Sequence, residues 1–284
     1  MMKKKQAALT AIIGGIVILG VKLLAYFISD SMALLSDALE SIVNIVASGL
    51  MFFSVYISDK PADITHNYGH RKIENITSMI EGLFILMAAF FIIETAVGRL
   101  FSPVTLQKLD LAIGISLFAT ALNAGLSWFL ARTAKESGSL ALEGDAKHLL
   151  SDVVSSLGVA LGLFVAQLTG WSIMDSALAF VVVALIIKMG AALVLKSTQG
   201  LMDHSCAEAE LKIRAVLERH KFHFIDCHEV KTRRSGNQVF AEFHLTVDGS
   251  LTVQESHNLT DRLEEELKEE SPGLTLTIHI EPKP

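Results

Sequence analysis

Cysteine, charge and low-complexity sequence are what this chain has least of. Its 284 residues include two cysteines, Cys206 and Cys227. They form no CxxC pair and are too few for a disulfide framework, so both read as ordinary reduced thiols. Charged residues make up 19% of the chain and hydrophobic ones 51%, with a mean hydropathy of +0.47. That balance places the chain in the membrane class. No internal repeat or low-complexity tract stands out. No phosphate-binding loop and no activated nucleophile accompany its histidines and carboxylates, which argues against an enzyme. No apolar run carries a continuous polar stripe, which argues against a passive channel.

What is present is unevenly spread. Residues 1–200 carry 14 basic and 14 acidic side chains, whereas 201–284 carry 10 against 16. An acidic tail behind a neutral membrane half makes cations the expected partners and nucleic acid not one. Six apolar runs have the ~20-residue length that a bilayer requires: 7–28, 32–57, 74–99, 109–131, 145–168 and 173–195. Nine lysines and arginines, from Lys3 to Lys147, flank these runs on one side, against Arg99 and Lys108 on the other. Positive charge marks the cytoplasmic face, so the chain reads as a multi-pass protein of the inner (plasma) membrane with both termini cytoplasmic.

Beyond Lys196 the periodicity changes. Residues 207–221 read as an amphipathic helix with Leu211, Val216 and Leu217 available for packing. The run 238–248 alternates Val239, Ala241, Phe243, Leu245 and Val247 with polar residues, the period of a half-buried strand. A helix over 253–270 carries Leu259, Leu263 and Leu267 on one stripe, and strands are expected at 225–233 and 274–281. The fold class is a six-helix transmembrane domain (1–200) followed by a small cytoplasmic α+β domain (201–284) of order αββαβ.

Three groups of residues carry metal chemistry. In the second apolar run Glu40 and Asn44 are four apart, and in the fifth so are His148 and Asp152. At that spacing each pair projects from one helix face. Two such helices can close a four-ligand site of two carboxylates, one imidazole and one amide oxygen, suited to a divalent first-row metal. An ionisable residue at the bilayer centre costs roughly 3 kcal/mol on insertion scales, so two matched pairs argue for function over packing. Glu81, Glu94 and Asn123 are read as interhelical contacts outside this site.

Between the second and third runs, Asp63, His66 and His70 offer three donors within eight residues, an open tetrahedral set. The opposing reading, a surface loop with two unrelated histidines, has equal standing on this motif alone. In the tail, His228, His244, His257 and His279 face polar sides of their elements. Glu281 shares a strand face with His279, and Asp261 lies one helical turn from His257. Four such histidines in one small domain favour metal binding over surface decoration.

Taken together, LLSDALES, PADITHNYGHRK, DAKHLLSD, LMDH, CHEVKTRRSG and TIHIEP resemble the cation diffusion facilitator family, close to its YiiP-like bacterial zinc and iron efflux branch. The resemblance implies a ferredoxin-like, metallochaperone-like tail and a transport site of Glu40, Asn44, His148 and Asp152. It also implies a loop site of Asp63, His66 and His70, and a cytoplasmic binuclear site drawing on His228, His244, His257, His279 and Glu281. Lys72 and Asp203 match an ion pair that ties the membrane half to the tail. A homodimer in the lipid bilayer that exports a divalent cation, zinc foremost, in exchange for protons is the implied assembly and activity. Iron, cobalt and cadmium are the other ions considered.

One departure bears on the ion. Zinc exporters of this family carry Asp or His, then Asp, where this chain has Glu40 and Asn44. A neutral amide is a weaker ligand, which keeps open a manganese-selective exporter and a metal-responsive membrane scaffold or sensor with weak transport.

Overall fold

Six helices of 27 to 30 residues occupy most of the first two hundred positions. They are seen in a computed structural model that describes residues 2–29, 32–101, 110–169, 173–236 and 238–283. Within these, the side chains of 2, 25–26, 28–40, 43, 95–96, 99–101, 110–113, 116 and 159–179 lie outside the description. The helices are α1 (Met2–Ser29), α2 (Met32–Ser58), α3 (Ile73–Phe101), α4 (Asp110–Ser137), α5 (Leu140–Thr169) and α6 (Ile173–Leu201). At 1.5 Å per residue each is roughly 40 Å long, more than the ~30 Å of a hydrocarbon core.

α4, α5 and α6 extend up to six residues past the runs expected from hydropathy. An apolar window marks only the part of a helix that suits lipid, while charged turns such as those of Lys135 and Glu143 continue the same backbone ladder. Among the described residues, Lys3–Leu24, Ile73–Glu94 and Phe180–Leu201 are long and apolar enough to cross a membrane. The first half of α5 instead carries Glu143, Asp145, Lys147, His148 and Asp152.

The chain divides into two units, Met1–Thr198 and Gln199–Pro284. In the first, α1 packs on α2 and α4, α4 on α5, and α5 also on α2 and α3. α6 joins α3 through Ile85, Ala89, Val183, Ile186 and Leu193. One end of the bundle is tied by the buried Glu74. Its Oε1 accepts from Ser58 Oγ at 2.6 Å and Lys4 Nζ at 3.2 Å, and its Oε2 accepts from Ser139 Oγ at 2.6 Å. Four helix ends are thereby held by one carboxylate both of whose oxygens accept hydrogen bonds, as a buried charge requires.

The second unit contains α7 (Ala207–Arg219), β1 (Asp226–Ser235), β2 (Gln238–Val247), α8 (Val253–Glu270) and β3 (Leu274–Pro282). The strands form one sheet in the order β1-β2-β3, with β1 and β2 antiparallel and β2 and β3 parallel. α8 is the crossover that a parallel pair needs. Thr252 starts α8 with a reciprocal capping box to Glu255. Ile213, Val216 and Leu217 of α7 and Leu259, Leu263 and Leu267 of α8 bury against Ala241, Phe243, Leu245 and Val247. Leu211, expected in this core, is 70% exposed. The buried stripe of α7 runs through Ala209, Ile213, Val216 and Leu217, and position 211 falls on the opposite side of that 3.6-residue period.

Candidate metal centres

In the membrane unit α2 and α5 bring Asn44, His148 and Asp152 into contact, each 5% exposed or less. Asn44 Nδ2 donates to Asp152 Oδ2 at 2.5 Å, and Asn44 Oδ1 lies 2.9 Å from His148 Nε2. With the amide nitrogen committed to the carboxylate, the oxygen is left to accept, so the imidazole carries a proton on Nε2. The amide therefore bridges the other two groups. Any cation bound at this point would have to displace both hydrogen bonds. Phe84 stands against the imidazole, with ring centroids 6.3 Å apart. Glu40 lies on the same helix one turn before Asn44, and its side chain is outside the described set.

The segment between α2 and α3 folds around Asp63. Its Oδ1 accepts from the Thr65 hydroxyl at 2.7 Å, the Thr65 amide at 2.8 Å and the His66 amide at 2.7 Å. These bonds, the Thr65 hydroxyl first, hold the Asp63 carboxyl well below the usual carboxylate range. Its other oxygen faces His70 Nε2 at 3.3 Å, and His66 Nδ1 lies 3.6 Å from Oδ1. Gly69 takes φ +80°, a left-handed turn that suits glycine and doubles the chain back so that His66 and His70 stack 4.3 Å apart. One ligand atom from each of the three residues falls within 4.8 Å of the others.

In the second unit the register places His228, His244 and His279 in a single row across β1, β2 and β3. Directly paired residues point to the same face of a sheet. This face is opposite the one that carries Phe243 and Leu245 under the helices. Glu281 reaches across, with its Oε1 2.9 Å from His244 Nδ1 and its Oε2 3.4 Å from His228 Nε2. His279 Nε2 lies 3.8 Å from the same carboxylate, and ligand atoms of His228, His244 and Glu281 converge within 4.8 Å. His257 stands apart. It sits on α8, across the sheet from the row, and pairs with Asp261 at 3.5 Å.

Two carboxylates that the spacing rules passed over also belong here. Asp226 holds His228 Nδ1 at 3.0 Å, which orients the ring and leaves Nε2 facing Glu281. Glu229 adopts φ +51° in a bulge where the β1–β2 register shifts between His228 and Lys231. That irregularity brings its carboxylate 3.9 Å from His244 Nε2. A bulge re-aims a side chain out of the alternation by which strands are read.

Against known proteins, residues 8–202 match the cation efflux transmembrane domain and 207–283 the cytoplasmic domain of cation efflux proteins. The chain belongs to the cation diffusion facilitator family. An uncharacterized transporter, sll1263, of Synechocystis is 38% identical to this facilitator over 93% of the chain and 86% of its own length. The cation-efflux pump FieF of Shewanella oneidensis is 27% identical over 98% of the chain and 94% of its own length. The metal-bound C-terminal domain of the CzcD transporter from Thermotoga maritima is 34% identical over 26% of the facilitator and 87% of that domain, with a TM-score of 0.25. The facilitator is thus a membrane protein of a transporter family, with a helical transmembrane domain and a small C-terminal domain of helices and a three-stranded sheet. Of the ion pair implied by the resemblance, Lys72 immediately precedes α3 in the first unit. Asp203 belongs to the second unit, where it takes φ +55° with its Oδ1 3.7 Å from Arg233 Nη1.

Proposed function

We propose that this facilitator exports a divalent first-row cation, zinc foremost, from the cytoplasm in exchange for protons. It works as a homodimer in the inner membrane with both termini cytoplasmic. The observation that best supports this reading is the buried contact of Asn44, His148 and Asp152 between α2 and α5. A nitrogen, a carboxylate and an amide within hydrogen-bonding reach, inside a unit of apolar helices, form a donor set for one dehydrated dication. Glu40 supplies the fourth ligand, and with Asp152 it balances the ion's charge.

The chain's own residues account for the coupling. When His148 is protonated on both ring nitrogens before uptake, the Nε2 proton must leave before that nitrogen can ligate, so uptake of the ion releases a proton and its departure recovers one. Imidazole titrates near neutral pH, which makes His148 the natural carrier. Asn44 returns to its bridging position when the ion leaves and so restores the hydrogen bonds of the cluster. In the tail, an ion held by His228, His244, His279 and Glu281 biases the cytoplasmic domains of the dimer toward the transporting arrangement, by binding that arrangement more tightly. The loop residues Asp63, His66 and His70 offer a third, more exposed position.

Flux of zinc and iron(II) into proteoliposomes, followed together with internal pH, tests the proposal. Zinc uptake accompanied by proton counterflow is expected. A His148→Ala plus Asp152→Ala variant should lose flux by about a hundredfold or more. Undiminished flux in that variant would dismiss the site, and flux that moves no protons would dismiss the exchange. The bridging amide of Asn44 also favours a second reading, a metal-responsive scaffold that binds ions at its tail and transports poorly. Tail binding with no flux in vesicles would select it.

A further inference from the structure

Asp145 and Glu81 form a second acidic locus in the membrane unit, and the Asn44–His148–Asp152 cluster does not use it. Asp145 is fully buried on α5, three residues before His148, and Ser48 Oγ of α2 contacts its two oxygens at 3.0 and 3.1 Å. Glu81 comes from α3 and is 1% exposed. Neither of its carboxylate oxygens has a hydrogen-bond partner among the described residues. The charged groups that act on it are Asp145 first and then Asp152.

Gly144 sets its aim. A β-carbon at position 144 would sit 3.2 Å from Glu81 Cγ and 3.3 Å from Ser78 Cα, so α3 runs directly against the α5 backbone at this level. The residue that follows this contact is Asp145. Small residues permit such approaches between membrane helices, and here the approach lays the Glu81 side chain, whose oxygens are unbonded among the described residues, against the turn of α5 that carries Asp145. Two carboxylates shielded from water with no partner for one of them require a positive ion or protons.

We propose that Glu81, Asp145 and Ser48 form an all-oxygen binding position for a divalent cation, a way-station one helical turn ahead of His148. Carboxylates and a hydroxyl suit harder dications and hold first-row ions less selectively than a site containing imidazole. Asp145, His148 and Asp152 lie at i, i+3 and i+7 of α5, one continuous stripe, so an ion at the first acid has the imidazole as its next donor. The inference rests on the membrane reading of the first unit. It assumes nothing about the direction or coupling of transport.

Mn2+ is the probe, because it accepts oxygen ligands and is counted by electron paramagnetic resonance. Full-length protein in lipid nanodiscs is titrated as wild type, as Glu81→Gln plus Asp145→Asn, and as His148→Ala plus Asp152→Ala. The acid-pair variant is expected to hold one Mn2+ fewer per chain than wild type, and the histidine–aspartate variant to keep that ion. Equal counts in wild type and the acid-pair variant would overturn the proposal. If the acid-pair variant fails to fold, Ser48→Ala decides, since it leaves both acids in place. Affinity for one ion weakened about tenfold supports the site, and unchanged affinity overturns it. Counting ions needs no flux, so a wild-type chain that holds this ion yet moves no zinc in vesicles refutes the export reading alone.

Discussion

Asn44 is the residue on which the choice of ion turns in the proposed transport site. As an amide it satisfies an imidazole and a carboxylate at once, at 2.9 and 2.5 Å, and a cation must compete with both bonds. Asn44→Asp replaces the bridge by two like charges at close range, an arrangement that a dication relieves. That variant is expected to bind zinc roughly tenfold more tightly in equilibrium titrations of the full chain. Asp63 offers a test by pH. Its lowered pKa means that the carboxylate's contribution to the loop is fully present above the ordinary value of about 3.9 and fades as pH falls through the lower folded value. Thr65→Val removes the largest cause, so a carboxyl titration followed by NMR should show the Asp63 midpoint rising toward 3.9.

At the scale of elements, the controlling contact is that of α3 with α5 at Gly144. Gly144→Val forces branched carbons into Glu81 and the Ser78 backbone and must separate the helices. A loss of about 1–3 kcal/mol is expected, seen as a lowered thermal midpoint, because overpacking a tight contact has that cost.

This is also where sequence reasoning met its limits. The i, i+4 pairs on α2 and α5 were legible because helical spacing is a property of the backbone alone, and Asn44 does meet His148. Glu81 and Asp145 were not read as partners, because nothing in a one-dimensional pattern says which turn of α3 faces which turn of α5. In the tail, alternation showed that His244 and His279 were polar-facing. The row they form with His228 depends on a register and strand order that only the folded sheet reveals. The bulge at Glu229 is invisible to strand alternation, and nothing in the sequence shows that the helix carrying His257 covers the opposite face of the sheet from the row.

For the whole molecule, the division of donors between two units has a measurable consequence. The tail cluster joins all three strands, so an ion there stabilises the second unit by linkage, by about 2.7 kcal/mol when the free ion is at a hundred times its dissociation constant. Zinc should therefore raise the unfolding temperature of the tail in the intact protein, followed by hydrogen exchange of the 226–282 amides. Chelation should reverse the rise. His244→Ala, which removes the middle donor of the row, should abolish the response while sparing the Asn44–His148–Asp152 cluster.

The parallel pairing of β3 with β2 also bears on biosynthesis. His279 and Glu281 take their places only after α8 has crossed over and the last strand has docked. During translation the ribosome must therefore have passed residue 281 before the row can be complete. A message truncated ahead of codon 274 is expected to yield a tail that lacks His279 and Glu281.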